Sequence, residues 1–213
     1  MKQTNSSRDE ILKRIETVRK GRSSFRSIPI EKGKEIYKPI LPDALSCFKT
    51  ELEAISGKCI ICSDEQEVFA EINKFVSERR FPYVFCRDKS LFDKLEKNNI
   101  PCSGKEDDFG SMQAGISTCE FLIARTGSVM VSAASPSGRQ MHVFPPVHIV
   151  VAKSSQLVDY IEDALIAIRQ KYGDNLPSAI TTITGPSRTA DIEKTLVLGA
   201  HGPKEIIVFV SRN

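Results

Sequence analysis

Residues 181–203 read T-T-I-T-G-P-S-R-T-A-D-I-E-K-T-L-V-L-G-A-H-G-P. The spacing predicts the end of a strand at 178–184, a tight turn at Gly185-Pro186, a helix over 187–198 and a second turn at Gly199–Pro203. Glycine permits a left-handed turn and proline presets the φ of a helix start. Ser187 or Thr189 would cap that helix, with Asp191 and Glu193 near its positive end. Backbone N–H groups at such a start suit a small anion, and Arg188 can hold a planar carboxylate through two parallel bonds. The same residues also read as a well-capped connection that holds no ligand. A last strand follows at 205–210, so this stretch reads strand–helix–strand.

Working outward, the same alternation covers the first half of the chain. Leu45, Phe48, Leu52 and Ile55 form a helical stripe stopped by Gly57, and 58–62 is a strand. Ser63–Gln66 is a capping box opening a helix with Val68, Phe69, Ile72, Phe75 and Val76 on one face. Short strands at 83–86 and 100–102 flank a helix at 89–98. In the middle, 120–124 and 129–133 flank R-T-G-S and predict a hairpin. A loop rich in Ser, Pro and Gly spans 134–146 and reads as a lid or interface. It leads to a buried strand at 147–152 and a helix carrying Leu157, Ile161, Leu165 and Ile168. This alternation predicts an α/β chain, a three-layer α/β/α Rossmann-like sheet with a β-hairpin excursion.

In open parallel sheets, ligands lie beyond the carboxyl ends of the strands. That rule puts two turns on one rim. Thr126, Gly127 and Ser128 offer a hydroxyl and backbone nest; Gly185, Ser187, Arg188 and Thr189 offer the second anion contact. His201, in its glycine-flanked turn, is the candidate for proton transfer because its pKa lies near neutrality.

The 213 residues suit one globular domain, with 40% hydrophobic and 27% charged residues. No apolar run reaches the roughly 20 residues of a membrane span, and the first residues lack a signal core, so a cytoplasmic protein is expected. Net charge is +3, but residues 1–40 hold eleven Lys/Arg against five Asp/Glu. Residues 1–42 therefore read as a basic helix (Ile11, Ile15 and Val18 on its stripe) and an irregular linker, with the domain over 43–213. The arm lacks the interleaved aromatics of a nucleic-acid binder and suits docking, to a partner or to a second copy.

Six cysteines include one close pair, Cys59 and Cys62, without a second pair to complete a metal site. A spacing of three in a strand puts the two thiols on opposite faces. His142 and His148 flank two prolines, and His148 reads as a hydrogen-bonded core histidine. No metal, cofactor or P-loop motif is expected.

Two blocks carry a resemblance: A-G-I-S-T-C-E-F-L-I-A-R-T-G-S at 114–128 with F-P-P-x-H-I-V-V at 144–151, and G-P-S-R-T-A-D-I-E at 185–193 with G-x-H-G-P at 199–203. Together they resemble the LUD-domain family, the lactate-utilisation protein C group. Arg125 stands where the family commonly has an acid. The resemblance implies a fold of the NagB/RpiA/CoA-transferase-like type. It also implies a non-cluster subunit of a system that oxidises L-lactate to pyruvate with iron–sulfur partner proteins. The alternative is a free-standing enzyme acting on a small anionic or phosphorylated metabolite, and either reading allows a small carboxylate or phosphate ligand.

Overall fold

The computed structural model describes residues 7–20, 39–189 and 197–213. Contacts divide the chain into two units, Met1–Lys38 and Pro39–Asn213. The first contributes helix α1 (Ser7–Lys20), with Ile11, Leu12, Ile15 and Val18 exposed along it. Most of the predicted linker, residues 21–38, lies outside the described residues.

The second unit begins with α2 (Ala44–Ala54), capped by the Asp43 carboxylate on the N–H groups of Leu45 and Ser46, and burying Cys47, Phe48 and Leu52. After β1 (Lys58–Cys62) comes α3 (Glu65–Glu78). Its cap is Asp64 rather than Ser63: Asp64 accepts from Glu67 N, while the Glu67 carboxylate reaches back to the N–H and hydroxyl of Ser63. All five predicted core residues of α3 are buried. There follow β2 (Val84–Phe85), α4 (Lys89–Lys97), β3 (Cys102–Ser103), the single turn α5 (Glu106–Phe109) and β4 (Ala114–Thr118). Next are β5 (Phe121–Ile123), β6 (Ser128–Ser132), β7 (Val147–Lys153), β8 (Leu157–Val158), α6 (Ile161–Tyr172) and β9 (Ile180–Ile183). The described chain ends with β10 (Arg188–Thr189), β11 (Val197–Leu198) and β12 (Glu205–Ser211).

Six strands form one parallel sheet in the order β1-β12-β7-β4-β2-β3. Residues on one face of its strands, including Ala114, Ile116, Ile149 and Phe209, pack against α3 and α4. Val150, Ala152, Ile206, Val208 and Val210 fill the other face and meet Phe48 and Leu52 of α2. This is the expected mixed α/β architecture, with helices against both faces of the parallel sheet.

The hairpin excursion is larger than the sequence suggested. β5 and β6 pair as predicted, but β8 and β9 join them in a second sheet, β8-β5-β6-β9. Period-2 alternation sorts its residues: Leu122, Val129 and Val131 point into the core shared with the parallel sheet, while Ile123 and Met130 meet Ala164 and Ile168 of α6. Leu157 therefore lies in a strand, and Ile161 and Leu165 of α6 are exposed rather than core. The helix expected over 187–198 is not formed at either end. Arg188 pairs with Leu198 and Thr189 with Val197 in an antiparallel ribbon. Asp191 and Glu193, expected near that helix start, lie outside the described residues.

Because the second unit contains its own two-sided core, a fragment of residues 39–213 is expected to unfold in one cooperative transition in urea. Loss of that transition on removing residues 1–38 would contradict the division.

Candidate functional site

The two predicted turns do come together, and the strands leading into them run the same way, since β5 and β9 are each antiparallel to β6. The Ser128 hydroxyl lies 2.7 Å from that of Thr126 and 2.8 Å from that of Thr184. Their position differs from the expectation. The turns belong to the second sheet, and they close on the C-terminal end of α2, which leads directly into the start of β1. They sit at the amino edge of the parallel sheet, opposite the edge where open sheets hold ligands.

Each residue there has a packing task. Gly127 has φ of 57°, and a β-carbon on it would lie 2.2 Å from Leu52 N. Gly185, at φ of 78°, presses on the Ile55 carbonyl in the same way. Arg188 donates to that carbonyl and, at 2.8 Å, to the Ser56 hydroxyl, so it caps the carbonyl end of α2. Arg125 pairs with Glu51 of α2 at 2.6 Å; a carboxylate at 125 would face another carboxylate. Ser187 N donates to Pro203 O, and Gly199 N to Ser187 O, which ties the two signature turns together. Thr189 is half-buried in the ribbon, and His201 is exposed on the Gly199–Pro203 turn.

The carboxyl edge holds a different group of residues. β4 ends at Thr118, which borders two clefts. One, of about 110 Å³, is lined by the ends of β7 and β12 and by the first turns of α3 and α4. Both helix starts are already occupied by aspartate: Asp64 on Glu67 N, and Asp88 on Ser90 N and Leu91 N. An anion would meet these carboxylates instead of free N–H groups.

The other cleft, of about 170 Å³, contains a buried carboxylate. Glu120 is 7% exposed. Its Oε1 accepts from the Ser132 hydroxyl at 2.5 Å and the Tyr172 hydroxyl at 2.7 Å, and its Oε2 accepts from Lys171 Nζ at 2.7 Å. Glu120 enters β5 and Ser132 ends β6, while Lys171 and Tyr172 close α6. Burial alone would raise the Glu120 pKa, but the three hydrogen bonds and the lysine charge outweigh it and hold it below its ordinary value. The bond to Glu120 correspondingly raises the Lys171 pKa. The pair is thus ionised at neutral pH. Sequence reading missed this group because its members are spread over more than 50 residues; the one visible signal was a lone acid between two apolar strands.

The remaining polar candidates are core. His148 is fully buried, its Nε2 2.8 Å from the Ser117 hydroxyl, and burial with the nearby His142 pushes its pKa down to about 3. His142 is buried as well, its ring centroid 6.1 Å from that of His148. Cys59 and Cys62 lie in the cores on opposite faces of the sheet, and burial raises their thiols to about 12 and about 11.

A family model described as the LUD domain matches residues 45–210, most of the chain. The chain belongs to the LUD-domain family. The stretches matched in these curated relatives cover less than half of the relatives' own length. A Neisseria meningitidis protein, NMB1437, is 34% identical over 105 residues, 49% of this chain and 44% of its own. The lactate utilization protein C of Bacillus licheniformis is 37% identical over 91 residues, 42% of this chain and 38% of its own. That of Bacillus subtilis is 38% identical over 100 residues, 46% and 42% of the two chains. A solved DUF162 family protein from Deinococcus radiodurans superposes on 79% of this chain and 96% of its own, with TM-score 0.59 and 15% identity, and shares the fold.

Two outcomes follow from the geometry. Gly127→Ala should destabilise the LUD domain by about 2 kcal/mol or more, because its β-carbon meets backbone, and Arg188→Ala by about 1 kcal/mol, both read by urea denaturation. Glu120 binds protons less readily when folded, so its contribution holds above pH 4.5, its unfolded value, and is lost as pH falls through the lower folded value. Lys171 has the opposite sign, losing its contribution as pH rises above 10.5. Glu120→Gln should flatten the acid limb of a stability–pH curve below pH 4.5; an unchanged limb would mean the carboxylate is not held by these bonds.

Proposed function

We propose that this LUD domain is the non-cluster component of a lactate-utilisation system, working in the cytoplasm with iron–sulfur partner proteins that oxidise L-lactate to pyruvate. The observation that carries the reading is the family match together with the relatives named lactate utilization protein C.

In this reading the chain supplies binding and assembly. The domain boundary proposed from the sequence, residues 42–43, lies a few residues past the division at Lys38 and Pro39, and the basic arm before it is a docking segment. At the amino edge, the exposed Thr126, Thr184, Arg188 and His201 form the part of the signature able to meet an anionic group, with Gly127, Ser128, Gly185, Ser187 and Thr189 as its frame. His201, exposed on the Gly199–Pro203 turn, is the residue proposed for proton exchange. The free-standing enzyme has less support, since the buried acids among the described residues, Asp88 and Glu120, stand at the opposite edge from the signature turns.

Removing the gene from its host tests the proposal. Growth on L-lactate as sole carbon source should be lost and growth on pyruvate kept, with restoration by the intact chain. Undiminished growth on lactate would overturn the reading.

A further inference from the structure

We propose that the Glu120–Lys171 cleft is a binding site for a small 2-hydroxy carboxylate. Its choice of biological ligand, lactate, rests on the function proposed above; the chemistry of the site does not.

A carboxylate can accept about four hydrogen bonds and an ammonium carries three donors. Glu120 has three of its positions filled, two on Oε1 by Ser132 and Tyr172 and one on Oε2 by Lys171. The position left is on Oε2, the oxygen beside the cation. The bond to Glu120 uses one of the three Lys171 donors, and the Lys171 side chain is 55% exposed at the cleft. The site therefore presents an anionic acceptor and a cationic donor 2.7 Å apart.

That pattern suits a hydrogen-bond donor placed beside a carboxylate. A ligand with a hydroxyl on the carbon next to its carboxylate gives the hydroxyl hydrogen to Oε2 and lays its carboxylate on Lys171 Nζ. A 2-oxo acid puts a carbonyl oxygen against Oε2, two acceptors facing each other. An unsubstituted acid leaves Oε2 without its last partner. Sites that hydrogen-bond a hydroxyl discriminate strongly against analogues lacking it. Hydroxyls of Thr118 and Ser135 line the same cleft, and Val131 and Pro136 give it an apolar wall for a short side group. The location agrees with the general rule for open parallel sheets: Glu120 follows the carboxyl end of β4, a strand inside the sheet.

The test is titration calorimetry of the full chain with L-lactate, pyruvate, propionate and inorganic phosphate. Lactate should bind at least about tenfold more tightly than pyruvate or propionate, and phosphate no better than propionate. Glu120→Gln should abolish the preference while leaving carboxylate binding, and Lys171→Met should remove both, with thermal unfolding checking that each variant folds. The wild-type series decides without any variant: no lactate binding up to tens of millimolar, or equal binding of lactate and pyruvate, overturns the site. A selective site in a chain whose host grows on lactate without it would leave this inference standing and sink the proposed function. Loss of growth with no selective binding would do the reverse.

Discussion

Between Gly127 and the backbone of α2 at Glu51 and Leu52 there is no room for a β-carbon. The rest of the structure depends on that approach. It seats the turn of a β-hairpin directly on a helix, so Leu122, Val129 and Val131 close over the same core that Phe48 and Leu52 fill from α2. Dispersion contacts of this kind lose about a quarter to a half of their strength over a gap of 0.5–1 Å, so the close approach requires glycine and neighbouring groups reinforce it. Arg125 on Glu51, and Arg188 on the Ile55 carbonyl and the Ser56 hydroxyl, hold the same end of the helix by charge and hydrogen bonding. A helix end leaves its last carbonyls without partners, and here Arg188 supplies one of them from another segment.

The consequence is a division of labour between the two edges of the parallel sheet. At the amino edge, the sequence blocks that mark the family hold secondary-structure elements together. At the carboxyl edge, Glu120 and Lys171 keep opposite charges in a cleft where one acceptor and further donors remain for a ligand. One family block can therefore hold a packing turn and a site residue together: 114–128 carries Glu120 at the carboxyl edge and the Thr126–Ser128 turn at the amino edge. Glycine-dependent turn chemistry follows as readily from a close backbone approach as from a ligand.

Much of the fold was legible because its elements are strongly periodic. The α3 stripe from Val68 to Val76 and the buried strand after Pro146 are unambiguous in sequence, and Cys59 and Cys62 fall on opposite faces as a strand requires. The misreadings came where local pattern was outvoted by tertiary pairing. The run around Arg188–Leu198 has helical apolar spacing, yet Arg188 and Thr189 pair across the ribbon with Leu198 and Val197. Leu157 continues the α6 spacing but belongs to β8, where pairing with Leu122 buries it in part. The cleft was invisible for another reason. Glu120, Ser132, Lys171 and Tyr172 form no motif, and only the second sheet and the end of α6 bring them together.

The claim that a 2-hydroxy carboxylate binds at the carboxyl edge and not on the signature turns is tested most directly by a crystal structure of the protein soaked with L-lactate. The account predicts ligand density between Lys171 and Glu120, with the hydroxyl on Glu120 Oε2 and the turns at 125–128 and 185–203 unliganded. Density on Arg188 and His201 instead, with the Glu120 cleft unoccupied, would contradict it.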